Sequence, residues 1–162
     1  MNLQQKIREN ILPRVNPYAR RFGFYTAYTL SENELIGSTN QNIESAVSEI
    51  QSIGYDYNGL SATKIHPSKD IVDNGSYRRV PKSFSDVREC RITENWSPEE
   101  TQFHIHLFDV NKTVELYSHF ELRPDIFNPH VSKSRLETHY RPQWSEEYIL
   151  GAVEEPVLEI ID

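Results

Sequence analysis

Residues 102–121 read QFHIHLFDVNKTVELYSHFE, and this stretch decides the fold. Phe103, Ile105 and Leu107 alternate with Gln102, His104 and His106. Beyond Asp109-Val110-Asn111-Lys112, Val114, Leu116 and Phe120 alternate with Glu115, Tyr117, His119 and Glu121. A period of two is that of a β-strand, whose successive side chains point to opposite faces. Two such runs joined by a short link with a turn-prone Asn predict an antiparallel hairpin. Its apolar face belongs on a core, and its other face reads as a solvated or half-covered surface. A two-residue turn at Val110-Asn111 would set His106 opposite Glu115, His104 opposite Tyr117 and Gln102 opposite His119.

The second face gathers three histidines and two glutamates. Imidazole is the commonest transition-metal ligand, and His-x-His on a strand aims two rings the same way. His104, His106 and His119 are therefore the candidate ligands of a divalent transition metal. Glu115 and Glu121 are candidates for a further ligand or a general base. His139 is a further histidine in reach of such a site from the C-terminal segment. The competing reading is an ordinary sheet face, on which Glu115 beside His106 is simply a favourable cross-strand pair.

Outward from the hairpin, the pattern mixes helices and strands. Ile43, Ala46, Val47, Ile50 and Ile53 fall on one helical face, with Asn42 as a cap and Gly54 just after, which predicts a helix over 41–53. Leu3, Ile7 and Ile11 predict a short helix over 2–12, stopped by Pro13. Residues 22–29 and the return at Leu35-Ile36 read as a second hairpin around Ser31–Glu34. Further strands are expected at 60–65, Tyr77–Val80 and Val87–Ile92. A short helix is expected at 132–139, and an apolar strand or helix at 157–161. This order predicts a single α+β domain over 1–162, with an antiparallel or mixed sheet and helices packed on one face. Residues 1–14 form an N-terminal helix or arm, and 143–162 an acidic C-terminal tail.

With 162 residues, the chain is long enough for one real core without staples. Its single cysteine, Cys90, excludes an internal disulfide and reads as a small buried hydrophobe. The N-terminal sequence shows no apolar signal region, and no apolar run is long enough for a bilayer. The expectation is a cytoplasmic protein with no membrane partner. A net charge of −7 argues against nucleic-acid binding driven by the overall field. The charge is uneven, however. Lys6, Arg8, Arg14, Arg20 and Arg21 crowd the first 24 residues against Glu9 alone, while residues 145–162 are acidic throughout. Arg20 and Arg21, near Tyr18 and Phe22, are candidates for contact with a nucleic acid or partner, as are Arg78 and Arg79. Phosphate loops, serine-hydrolase elbows, HExxH and CxxC pairs are missing from the sequence, so those chemistries have no support.

Six stretches carry a resemblance: Arg21–Phe24, Leu35–Ser38, Asn58–Ala62, Asn74–Tyr77, Phe103–Phe108 and Tyr117–Glu121. Across about residues 18–142 the chain resembles uncharacterised proteins of halophilic archaea and their viruses. That resemblance implies no known activity and transfers no catalytic residue. The chain departs from the halophilic pattern in its richness in Asn, Ile and Ser and in being only moderately acidic, which suits a viral gene. The functional expectation is an interaction or accessory module that binds protein or nucleic acid, working through the histidine face or the basic N-terminal segment. The alternative is a metal-dependent hydrolase built on His104, His106 and His119.

Overall fold

The structure, a computed structural model, describes residues 3–22, 26–59, 61–84, 97–123 and 149–161. Its centre is the hairpin read above, β6 (Thr101–Val110) and β7 (Thr113–Leu122). Around it the sheet runs β2-β7-β6-β5-β3, with β2 at Leu35–Thr39, β5 at Gly75–Arg79 and β3 at Asp56–Tyr57. Every pairing in it is antiparallel. The outer edge of β7 is shared. β2 pairs along Val114–Tyr117, and β8 (Ile149–Leu150) pairs with His119 and Phe120. A separate two-stranded parallel sheet joins β1 (Ala27–Thr29) to β4 (Thr63–Ile65). Among the described residues the α-helices are α1 (Leu3–Asn10), α2 (Leu12–Arg21), α3 (Ile43–Ser52) and α4 (Glu155–Leu158). The fold is α+β.

The turn of the central hairpin lies one residue later than the sequence reading placed it. Asn111 and Lys112 have φ of 53° and 71°, so both central positions are left-handed. Asn tolerates that region, whereas a β-branched residue such as Val110 does not, so Val110 stays in the ladder opposite Thr113. The register therefore slides by two. His104 faces His119, His106 faces Tyr117, and Gln102 faces Glu121. A two-residue slide keeps every side chain on its expected face.

The apolar face carries the main core. Phe103, Ile105, Leu107, Val114, Leu116 and Phe120 are all at most 1 % exposed. Ala46 and Ile50 of α3 pack on them, as do Val157 and Ile160 from α4 and the turn after it. α3 begins at the Asn42 cap, whose side chain accepts from Ser45 N, and Gly54 follows its end at φ +100°.

Three expectations change, two of them at the N-terminal end. Pro13 does not end the first helix. The break falls at Ile11, and Pro13 sits in the first turn of α2, where its missing N–H is not needed. The second hairpin does not form. Ser31 and Glu34 close a capping box around a short 3-10 turn, and the chain leaves one sheet for the other: β1 pairs β4, and β2 pairs β7. The second face of the central hairpin is also not open. His104, His106, Phe108, Tyr117, His119 and Glu121 are all buried.

The cover over that face comes from β4 and its neighbours. His66, just past the end of β4, packs its ring against Phe108 and Tyr117 of the central sheet, while Thr63 Oγ1 donates to Arg8 O of α1. The expected strand over Val87–Ile92, Cys90, the helix at 132–139 and His139 lie outside the described residues. Among the described residues, no helix is long and apolar enough to cross a membrane.

Candidate metal centre

Two local patterns build the site. The β6 alternation sends His104 and His106 to one face, and the β7 alternation sends His119 and Glu121 to the same face. The Asn111-Lys112 turn then fixes His104 opposite His119. The three rings form a compact cluster, with centroids 4.3 Å apart for His104–His106, 5.0 Å for His104–His119 and 5.3 Å for His106–His119. One ring nitrogen from each lies within 4.8 Å of the others. Donors on a tetrahedral zinc stand about 3.3 Å apart, given bonds of roughly 2.0–2.1 Å. Small side-chain rotations therefore separate the present cluster from a closed coordination shell.

Each ring has a carboxylate beside it. Glu34 Oε1 is 2.9 Å from His119 Nδ1, Glu121 Oε1 is 3.3 Å from His104 Nδ1, and Asp73 Oδ2 is 3.4 Å from His106 Nδ1. Glu121 Oε1 also lies 3.4 Å from His119 Nε2, so this carboxylate stands between two of the rings. Metal-bound histidines usually carry such a carboxylate on the nitrogen that does not ligate, where it fixes tautomer and orientation. Gln102 Nε2 donates to Glu121 Oε1 at 2.8 Å and holds that carboxylate in place.

Burial and charge set the protonation. Burial pushes His104 down to about 3 from the usual 6.5, so it is neutral under ordinary conditions. Its Nδ1–H then donates to Glu121, and its Nε2 accepts from Ser76 Oγ. Burial likewise holds His106 well below its usual value, helped by the nearby Lys64 and Arg8 charges. Burial alone would lower His119 too, but Glu121 and Glu34 overcome it and raise the ring above 6.5. Burial opposes ionisation of Glu121, yet His119 and His104 hold it well below the usual carboxylate range.

His106 stands apart in this network. It is fully buried, and neither ring nitrogen has a hydrogen-bond partner among the described residues. Asp73 Oδ2 approaches His106 Nδ1 to 3.4 Å, but the contact does not have hydrogen-bond geometry. A buried imidazole left unsatisfied costs roughly 1–3 kcal/mol, and such groups mark places where an ion or water belongs.

The surroundings are charged as well. Arg8 and Asp73 form a fully buried pair at 2.7 Å, and Arg8 also donates to Gln5 Oε1, Ser61 O and Ala62 O. Lys64 donates to Ser61 Oγ and Ala62 O and lies 4.4 Å from the Tyr28 ring centroid. Burial pushes its amine down to about 8.

Of the residues singled out from sequence, His104, His106, His119 and Glu121 come together. Glu115 does not join them. Glu115 Oε2 is 2.8 Å from His66 Nε2 and accepts from Tyr117 OH at 3.0 Å. Ser68 N donates to His66 Nδ1, which places the His66 proton on Nε2, toward Glu115. Arg79 serves the fold, donating to Ile53 O at the end of α3 and lying 3.5 Å from Glu154. Arg78 is half-buried beside it on β5, and Arg20 and Arg21 stand exposed on α2, apart from the cluster. Sequence reasoning missed Glu34, Asp73, Ser76 and Lys64. The capping-box spacing Ser31–Glu34 was a readable signal for an ordered Glu34. The other three arrive by long-range pairing, which leaves no periodic trace.

Comparison with protein-family models, with curated proteins and with solved structures finds no match.

Proposed function

We propose that this chain holds a divalent transition ion of the zinc class on His104, His106 and His119, with Glu121 as a fourth ligand or as the base beside it. The observation that carries this reading is His106, a fully buried imidazole of the three-ring cluster with both nitrogens unsatisfied. The donor set supports the same ion class, because neutral imidazole suits zinc, copper, iron and nickel, whereas magnesium and calcium take oxygen donors. The carboxylate at each ring supports it again.

Three histidines leave a coordination position for water, whose pKa zinc lowers to about 7, so metal-assisted hydrolysis is the chemistry we assign. The rings are at most 3 % exposed, which argues against a polymer substrate lying across the sheet. The same burial removes His104, His106, Tyr117 and His119 as a docking surface. The interaction reading is thereby left with the basic N-terminal helices.

Elemental analysis of protein purified without an affinity tag tests the proposal, beside a His104→Ala/His106→Ala double variant. Near-stoichiometric zinc, copper, iron or nickel, lost in the double variant, supports it. Metal absent from both proteins, with no rise in Tm on adding any of these ions, overturns it.

A further inference from the structure

Five of the seven exposed large apolar side chains among the described residues lie in the first 22: Leu3, Ile11, Val15, Tyr18 and Phe22. Four of these, Ile11, Val15, Tyr18 and Phe22, are spaced by four, three and four residues along α2 and its two ends. At 3.6 residues per turn that spacing puts them in one narrow stripe. The stripe is not the face that α2 turns to the body, since Asn16 Oδ1 on another side accepts from Thr26 N and Ala27 N. Tyr18 and Phe22 are 65 % and 71 % exposed, an unusual position for two neighbouring aromatic rings.

Charge accompanies the stripe. Arg14 and Arg21, both exposed, border it on one side by the same helical geometry, and the Arg21 guanidinium carbon lies 5.8 Å from the Tyr18 ring centroid. Arg20 is exposed on the same helix, and α2 contains no acidic residue. The chain as a whole carries −7, so this helix is a basic island on an acidic protein.

We infer that α2 is a docking surface for an anionic lipid bilayer, lying in the interface with Ile11, Val15, Tyr18 and Phe22 toward the acyl boundary and Arg14 and Arg21 on phosphates. This is the geometry of an interfacial amphipathic helix. Two other occupants fit less well. Single-stranded nucleic acid would stack on Tyr18 and Phe22 but has no use for the aliphatic Ile11 and Val15. A second copy docked through the same face would bring Arg14, Arg20 and Arg21 against their own counterparts. The expectation of no membrane partner rested on the lack of a spanning segment, which says nothing of a surface helix. The inference stands independently of the metal centre.

Co-sedimentation of the full chain with phosphatidylcholine vesicles, with and without phosphatidylglycerol, tests it. Binding is expected only to the anionic vesicles and should weaken as salt is raised. Arg14→Gln/Arg21→Gln should weaken it by roughly thirtyfold, at about a five- to sixfold change for each arginine. Tyr18→Ser/Phe22→Ser should abolish it, with circular dichroism unchanged because these side chains are exposed. Binding to neither vesicle overturns the inference, as does binding that both variants retain. Loss in the arginine variant alone also overturns it, since it would mean loose electrostatic contact without a seated helix. Self-association or single-stranded DNA binding abolished by Tyr18→Ser/Phe22→Ser, without vesicle binding, would assign the surface to a second copy or to nucleic acid.

Discussion

The two faces of the β6–β7 hairpin are both largely buried, but only one of them buries a cluster of ionisable side chains. On one, Phe103, Ile105, Leu107, Leu116 and Phe120 pack against α3 and α4. On the other, His104, His106, His119 and Glu121 lie under a cover that includes Arg8, Lys64, Asp73 and Glu34. The apolar face is stabilised by area removed from water, at about 25 cal/mol per Å². The polar face has ionic groups that had to leave water, and replacing such groups by apolar residues of equal volume is often neutral or stabilising. A fold gains little from placing them there. The difference therefore points to function on the polar face and structure on the apolar one.

Acid separates the faces most strongly. His104, at about 3, and His106, also depressed, are more easily protonated in the unfolded chain than in the folded one. Their contribution is present above the unfolded value near 6.5 and is lost as pH falls from there toward 3. His119, with a raised value, works the other way, since its contribution is present below 6.5 and fades as pH climbs through its folded value. Two depressed rings against one raised ring predict a net loss of stability between neutral pH and pH 4, read by urea melts across that range. A flat profile would mean that the cluster is not buried in solution.

Truncation should act almost as strongly on the apolar face. Phe120→Ala is expected to cost about 3–5 kcal/mol in chemical denaturation. It should not change how many metal ions the folded fraction binds. Asp73→Ala leaves Arg8 buried without its partner and should cost a similar roughly 3–5 kcal/mol. A cost under about 1 kcal/mol would mean that water reaches the pair.

A smaller change of opposite sign sharpens the contrast. His106→Leu removes an unsatisfied imidazole and puts a hydrophobe of similar size in its place. The metal-free protein should gain about 1–2 kcal/mol while losing any stabilisation by zinc. Smallest of all should be Glu115→Gln. It touches the half-exposed pair with His66, so about 1 kcal/mol or less of stability and no change in metal affinity are expected. A large loss of metal affinity in that variant would extend the centre to His66.

Much of the apolar face was legible. A strict period of two named Phe103, Ile105, Leu107, Val114, Leu116 and Phe120, and a helical period with an Asn cap and a following Gly named α3. The histidines were found by the same alternation, since whatever is not on the core face must share the other. Their mutual geometry was not legible, because it depends on whether the turn sits at Val110-Asn111 or at Asn111-Lys112. The tolerance of Asn for positive φ decides that question. The cover over the histidines was hidden for a different reason. Lys64, Asp73 and Arg8 are brought in by a parallel β1–β4 pairing and by side-chain bonds spanning more than fifty residues, such as Arg8 to Asp73. A local reading of Ser31–Glu34 suggested a hairpin, where the capping box instead redirects the chain between two sheets.

Isothermal titration of zinc into the metal-stripped full chain, with His106→Leu and Glu115→Gln beside it, tests the centre most directly. A metal centre at His104, His106 and His119 predicts one ion per chain in the wild type and in Glu115→Gln, and none in a folded His106→Leu protein. No binding by the wild type, or binding that His106→Leu retains, would contradict it.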